Sequence, residues 1–200
     1  MAVSLTAAAN ATATATSLLS ITAPWVQPSD CETQWLTTTT SWTMYGPSVE
    51  AQAIILSAPA ASCNPPGWDR FGPESRLRFS PGVCPKGWIY HDMAEDGSTG
   101  ASTAFCCQSG FSNDKAMYYT FYGSRDCVQN AWMTAFDSAA STTTSKYTVM
   151  MHEAWAVTWD ATDTSTLTPK LPTLTSSMRV PKWTPKRSAR ANTTRTTVMR

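Results

Sequence analysis

The sequence predicts a small disulfide-rich fold, mainly β with long irregular loops, set between disordered Thr/Ser/Pro-rich ends. Three observations predict it. Six cysteines, Cys31, Cys63, Cys84, Cys106, Cys107 and Cys127, lie in one central segment, and an even count confined to roughly a hundred residues is the pattern of a disulfide framework. Short β-prone runs alternate with Pro/Gly turns. Both ends are Thr/Ser-rich and carry no hydrophobic period. At 200 residues there is room for one domain plus flanks. The expected division is a flexible Ala/Thr/Ser-rich leader over 1–29, a Cys-rich ectodomain over 30–160 and a Thr/Pro-rich basic stalk over 161–200.

The cysteines are read as disulfides rather than zinc ligands. A structural zinc site favours two short Cys pairs, because two ligands on one tight turn fix half the tetrahedron. Here the gaps are long and the only close pair, Cys106–Cys107, is adjacent. Six cysteines allow fifteen pairings. Adjacent cysteines seldom bond each other because the small ring is strained, so Cys106 and Cys107 are expected to reach different partners.

Charge is uneven along the chain. Before Lys170 there are 14 carboxylates and 7 basic side chains; after Asp163 there is no acid, and Lys170, Arg179, Lys182, Lys186, Arg187, Arg190, Arg195 and Arg200 follow. A cationic tail can bind nucleic acid or anionic lipid. This one has many Thr residues and no interleaved aromatic pattern, so a solvated end is expected and nucleic acid is not. Residues 1–24 lack the basic start of a standard signal peptide. The most apolar stretch, Ala51 to Ala61, contains Gln52, Ser57 and Pro59, well short of the roughly 20 apolar residues a membrane helix needs. Asn10 and Asn192 stand in N-glycosylation triplets, and the hydroxyl-rich surface suits O-linked sugars.

Taken in order, the ectodomain begins at Asp30-Cys31, with Trp35, Trp42 and Tyr45 around the tract Thr37–Thr40. Pro65-Pro66-Gly67 enforces a turn, and a second turn cluster runs from Ser80 to Trp88. Met117 to Tyr122 reads as an aromatic strand ended by Gly123. From Val149 to Trp159 the odd positions are apolar except Glu153, which fits one half-buried strand. Met151, Trp155 and Trp159 also share a helical face, and that alternative stays open. Pro169, Pro172, Pro181 and Pro185 forbid a continuous helix in the tail.

Several motifs occur in a recognisable order: Pro28-Ser29-Asp30-Cys31, Ser62-Cys63-Asn64-Pro65-Pro66-Gly67-Trp68, Ser80-Pro81-Gly82-Val83-Cys84-Pro85-Lys86-Gly87-Trp88, Thr103-Ala104-Phe105-Cys106-Cys107-Gln108-Ser109-Gly110-Phe111 and Ala154 to Trp159. This order resembles uncharacterised filamentous-fungal Cys-rich surface proteins, which carry a Pro/Thr stalk and often one membrane helix. The resemblance implies an extracellular or cell-wall setting reached through the secretory pathway, and it implies no reaction. The chain departs from it after Pro185, where Lys186-Arg187-Ser188-Ala189-Arg190 stands in place of an approach to a membrane helix.

Three classes of function compete. The first is a structural or interaction module at the cell surface, with another surface protein as partner. The second is a carbohydrate-binding module using cell-wall chitin or glucan. Nine tryptophans and six tyrosines exceed what a small core needs, and flat aromatic faces stack on sugar rings. Trp88 with Tyr90, beside a turn, is the expected platform; against it, Trp68, Trp88, Trp155 and Trp159 would serve equally well as core. The third is an enzyme using His91, Asp92, Glu95 and Asp96, or His152-Glu153, as acid–base or metal-binding groups. Two histidines are a sparse set, and none of the common catalytic or phosphate-binding motifs is present. No catalytic residue, metal or cofactor is therefore expected.

Overall fold

A computed structural model of the chain describes residues 17–43, 49–113, 126–137 and 141–185. It is mainly β, with three disulfides. The strands are β1 (Leu19–Ile21), β2 (Trp35–Thr43), β3 (Val49–Ser57), β4 (Arg78–Gly82), β5 (Ile89–Glu95), β6 (Ser102–Cys107), β7 (Asp126–Asp137), β8 (Thr142–Glu153), β9 (Trp155–Trp159) and β10 (Arg179–Trp183). They form a six-stranded sheet, β1-β4-β9-β6-β5-β10, and a four-stranded sheet, β2-β3-β8-β7. Helical structure among the described residues is confined to short 3₁₀ turns, and no helix there is long and apolar enough to cross a membrane.

The six-stranded sheet is organised by β9 and β6. In Trp155-Ala156-Val157-Thr158-Trp159 the odd residues are buried and the even ones half-buried, the period-2 pattern of a strand with one face on a core. Strand β6 runs antiparallel beside it, pairing Cys106 with Trp155 and Ser102 with Trp159. Their inward faces meet Phe79, Tyr90 and Met93 in the main core, where Phe79 lies 4.9 Å from Trp155. A close aromatic pair of this kind adds about 0.5–1.5 kcal/mol to what burial alone supplies.

The alternation from Val149 to Trp159 is present, but it belongs to two strands rather than one. Strand β8 ends at Glu153 in the four-stranded sheet, and β9 starts at Trp155 in the other. Ala154 is the buried joint. Alternation records which side chains are buried; it does not record whether the same sheet buries them. Val149 and Met151 pack with Ile54, whereas Trp155, Val157 and Trp159 pack in the main core.

Cys106 and Cys107 reach different partners, Cys84 and Cys127. Strand geometry explains this: successive side chains point to opposite faces. Cys106 enters the main core, and Cys107 enters a second cluster with Phe111, Cys127 and Ala154. The third bond, Cys31–Cys63, holds the segment before β2 against the turn after β3.

Both Pro/Gly turns form, with the same chemistry. Trp68 N–H donates to Pro65 O and Trp88 N–H to Pro85 O, each at 3.1 Å. Gly67 and Gly87 both sit at φ +85°, the left-handed position a type II turn reserves for glycine. The second cluster is shorter than expected, since Ser80-Pro81-Gly82 lies in β4.

The packed unit extends beyond 30–160 at both ends. Strand β1 lies parallel to β4, and Trp25 donates its indole N–H to Cys63 O. Beyond Asp160, whose carboxylate and that of Asp163 form a reciprocal cap, Leu167, Leu171 and Leu174 are buried in the main core. Strand β10 then pairs antiparallel with β5, and Trp183 meets Tyr90 edge-on at 5.0 Å. Residues 161–183 are therefore a wrap over the core and not a stalk. Composition concealed this because three leucines, Val180 and Trp183 are few among the Thr, Ser and Pro, yet each is placed to meet the core. The expected strand at Met117–Tyr122 and the triplets at Asn10 and Asn192 lie outside the described residues.

Leu171→Ala should lower unfolding stability by about 2–5 kcal/mol, the usual cost of such a core truncation. Leu36→Ala, on an exposed strand position, should stay within about 0.5 kcal/mol of the parent. Urea unfolding reads both; equal midpoints would show that 161–183 does not pack on the core.

Candidate functional site

The expected aromatic platform is not exposed. Trp88 retains 8% of its surface and Tyr90 1%. Trp88 packs 5.4 Å from Trp155 and edge-on to His152 at 5.0 Å. The Tyr90 hydroxyl accepts the Cys84 N–H at 2.9 Å, and burial pushes its pKa up to about 12. The turn at Pro85–Trp88 aims the following residues inward, because Cys84 on its near side is tied to Cys106 in the core.

The polar set His91, Asp92, Glu95 and Asp96 is dispersed rather than convergent. His91 is buried, with its Nε2 unpartnered among the described residues. Burial, then the neighbouring Lys182, holds its pKa below the ordinary value, against the pull of Asp92. Asp92 sits at φ +51° where the β5–β6 register shifts, and accepts a 3.0 Å bond from the Asn113 amide. Asp96 closes the exposed turn that follows, accepting from Ser98 N–H and Oγ; these bonds hold its carboxyl below the ordinary range. Glu95 pairs with Ser102 in the strand ladder. Among the described residues no group of three or more His, Cys, Asp or Glu side chains could hold a metal.

His152 and Glu153 lie at a different place, the joint between the two sheets. His152 Nε2 accepts the Gln108 N–H at 3.2 Å, and Nδ1 meets Glu153 O at 3.0 Å. The first contact requires a lone pair on Nε2, so the proton is assigned to Nδ1, which donates to the carbonyl. The ring is neutral and edge-on to both Trp88 and Phe111. Burial pushes its pKa down to about 4, opposed by the bond to Glu153. Across the β7–β8 ladder, Glu153 stands opposite Asp126. Burial, then the Glu153 charge, pushes Asp126 up to about 6, and partial burial raises Glu153.

One face of this joint opens into a cleft of about 180 Å³. Its walls come from many segments of the packed unit: Gln27 and Cys31 before β2, Ser57 at the end of β3 and Pro59 after it, Asn64 and Trp68 at the first turn, Leu77 before β4, Trp88 before β5, Gln108 after β6, and His152, Glu153 and Trp155 at the joint. Arg76 lies over the Trp68 ring, 5.4 Å from its centroid, and Gln27 donates its amide to Cys63 O. Of the expected site residues the cleft gathers Trp88, His152 and Glu153; Tyr90, His91, Asp92, Glu95 and Asp96 do not line it. It adds Gln27, Asn64, Trp68 and Gln108, which sequence reasoning did not propose as a site. Asn64 and Gln108 each directly follow a cysteine, a signal that they are held near a staple.

Fold and site together define a disulfide-stapled two-sheet β protein with a small aromatic and amide-lined cleft. Among known proteins, no family model, no curated protein and no solved structure matches the chain.

His152 has a folded pKa below its unfolded value of about 6.5, so its contribution is complete above that pH and is lost as pH falls to about 4. The loss is on the order of 3 kcal/mol. Asp126 works in the opposite sense, because a raised carboxyl pKa favours the fold at low pH and loses that advantage as pH rises through about 6. Asp126→Asn should therefore raise stability at neutral pH and steepen the loss on acidification. Urea midpoints across this range measure it, and parallel profiles for parent and variant would refute the assignment.

Proposed function

We propose that this chain is an extracellular or cell-surface protein with a structural and interaction role rather than a catalytic one. The observation that carries the setting is the pairing of all six cysteines into three disulfides. Such bonds form and persist in oxidising compartments. The Thr/Ser-rich composition and the resemblance to fungal Cys-rich surface proteins favour the same setting. For the role, the support is the way the polar groups are used. Of the sequence's candidate acid–base groups, Asp96, Glu95 and Asp92 are committed to a turn, a strand ladder and a bulge, and His152 has both ring nitrogens bonded to backbone. Beside His152 and Glu153, by contrast, the cleft sets amides, a hydroxyl and indole rings. Those are groups that recognise a ligand by shape and hydrogen bonding.

Secretion of the full chain from a eukaryotic host tests this reading. Thiol alkylation before reduction should add nothing, and after reduction should label all six cysteines. A non-reducing peptide map should link Cys31 to Cys63, Cys84 to Cys106 and Cys107 to Cys127, and deglycosylation should lower the mass. Free thiols on a sugar-free chain would overturn the surface reading. Replacing Cys107 and Cys127 together should cost about 2–5 kcal/mol, the usual loss for a native bond in a small secreted domain.

A further inference from the structure

We propose that the cleft beside Cys31–Cys63 binds one ring of an uncharged sugar. This deepens the interaction role above and rests on it only for the extracellular setting; the chemistry comes from the cleft itself.

The first argument is the state of the polar groups. The side chains of Ser57, Asn64, Gln108 and Glu153 line the cleft and make no side-chain hydrogen bond among the described residues. Gln27 has committed one amide N–H to Cys63 O, which leaves its second N–H and its amide oxygen. Amides and a hydroxyl present donors and acceptors together. A ligand that satisfies such a set must also do both at each position, as sugar hydroxyls do.

The second argument is the apolar wall. Half-buried Trp68 borders the space, and the buried Trp88 and Trp155 reach it with the 8% and 3% of their surface left exposed; indole rings pack on ligands that are apolar on one side and wet at the edge. At about 180 Å³ the cleft is smaller than the roughly 300–1,000 Å³ that drug-sized ligands occupy, and one ring suits it. Charge then narrows the choice. Among the described residues no lysine or arginine lines the cleft and Glu153 does, which disfavours an anion. An ammonium group would use Glu153 and the rings but would leave the Asn64 and Gln108 amide donors unmatched. The walls are also pre-set: the Cys31–Cys63 bond, the Arg76–Trp68 contact and the His152–Gln108 bond hold three sides. Little ordering cost is then left for binding.

The test uses the full, oxidised, secreted chain with tryptophan fluorescence and saturation-transfer NMR. Probes are methyl β-glucoside, N-acetylglucosamine, methyl α-mannoside and methyl β-galactoside, with tetramethylammonium and inorganic phosphate as charged comparators. At least one neutral glycoside should bind with a dissociation constant on the order of millimolar. Asn64→Ala and Gln108→Ala should each weaken it about tenfold; both remove only side-chain amides, and the Gln108 N–H to His152 is kept. Leu36→Ser should leave binding unchanged. The proposal is overturned if no glycoside binds, if binding survives both amide substitutions, or if only a charged comparator binds. An oxidised, glycosylated chain that binds no glycoside removes the sugar site and leaves the surface role standing. A reduced, sugar-free chain removes the surface role itself.

Discussion

The structure depends on one short strand that carries two adjacent cysteines. Because β6 sends successive side chains to opposite faces, Cys106 is fastened into the main core and Cys107 into the cluster beneath the other sheet. A single dipeptide thereby ties two cores through one stretch of backbone. The same strand also pairs with β9 and β5, so it lies inside the six-stranded sheet rather than at an edge. Crosslinks of this kind act mainly by limiting the unfolded chain, and that matters where the sheets have only modest apolar area to bury.

The second constraint is the change of sheet at Ala154. Cys127 stands opposite His152 in one ladder, and Cys106 stands opposite Trp155 in the other, so the two disulfides from β6 flank the joint on both sides. His152 occupies the gap between the sheets as a neutral ring with both nitrogens satisfied. A charged imidazole there would set an N–H against the Gln108 N–H and lose its solvation. Asp126 and Glu153, opposite each other at the end of the β7–β8 ladder, are the cost of closing the joint: like charges across a strand pair repel, and burial compounds it.

The cleft is a consequence of that joint. Beside the joint, the indoles of Trp88 and Trp155 and side chains from strand ends and loops line the same space. Two of its polar groups, Asn64 and Gln108, directly follow disulfide-bonded cysteines, and two more, Ser57 and Glu153, end strands β3 and β8. Rigid supports under adaptable amides are a common basis for selective binding.

From the sequence alone came the class of fold, the divergence of Cys106 and Cys107, both Pro/Gly turns and the alternation around Trp155, because each rests on local chemistry or on strand periodicity. Tertiary structure decided which sheet each half of Val149–Trp159 joined, that Trp88 and Tyr90 face inward, and that Leu167, Leu171, Leu174 and Trp183 wrap the core. It also decided that Asn64, Gln108, Trp68 and Glu153 border one cleft. The physical reason is the same in each case. Local pattern specifies what a side chain prefers to contact, while its neighbours are set by long-range pairing, and residues from 27 to 155 meet at the cleft only once the strands and staples are in place.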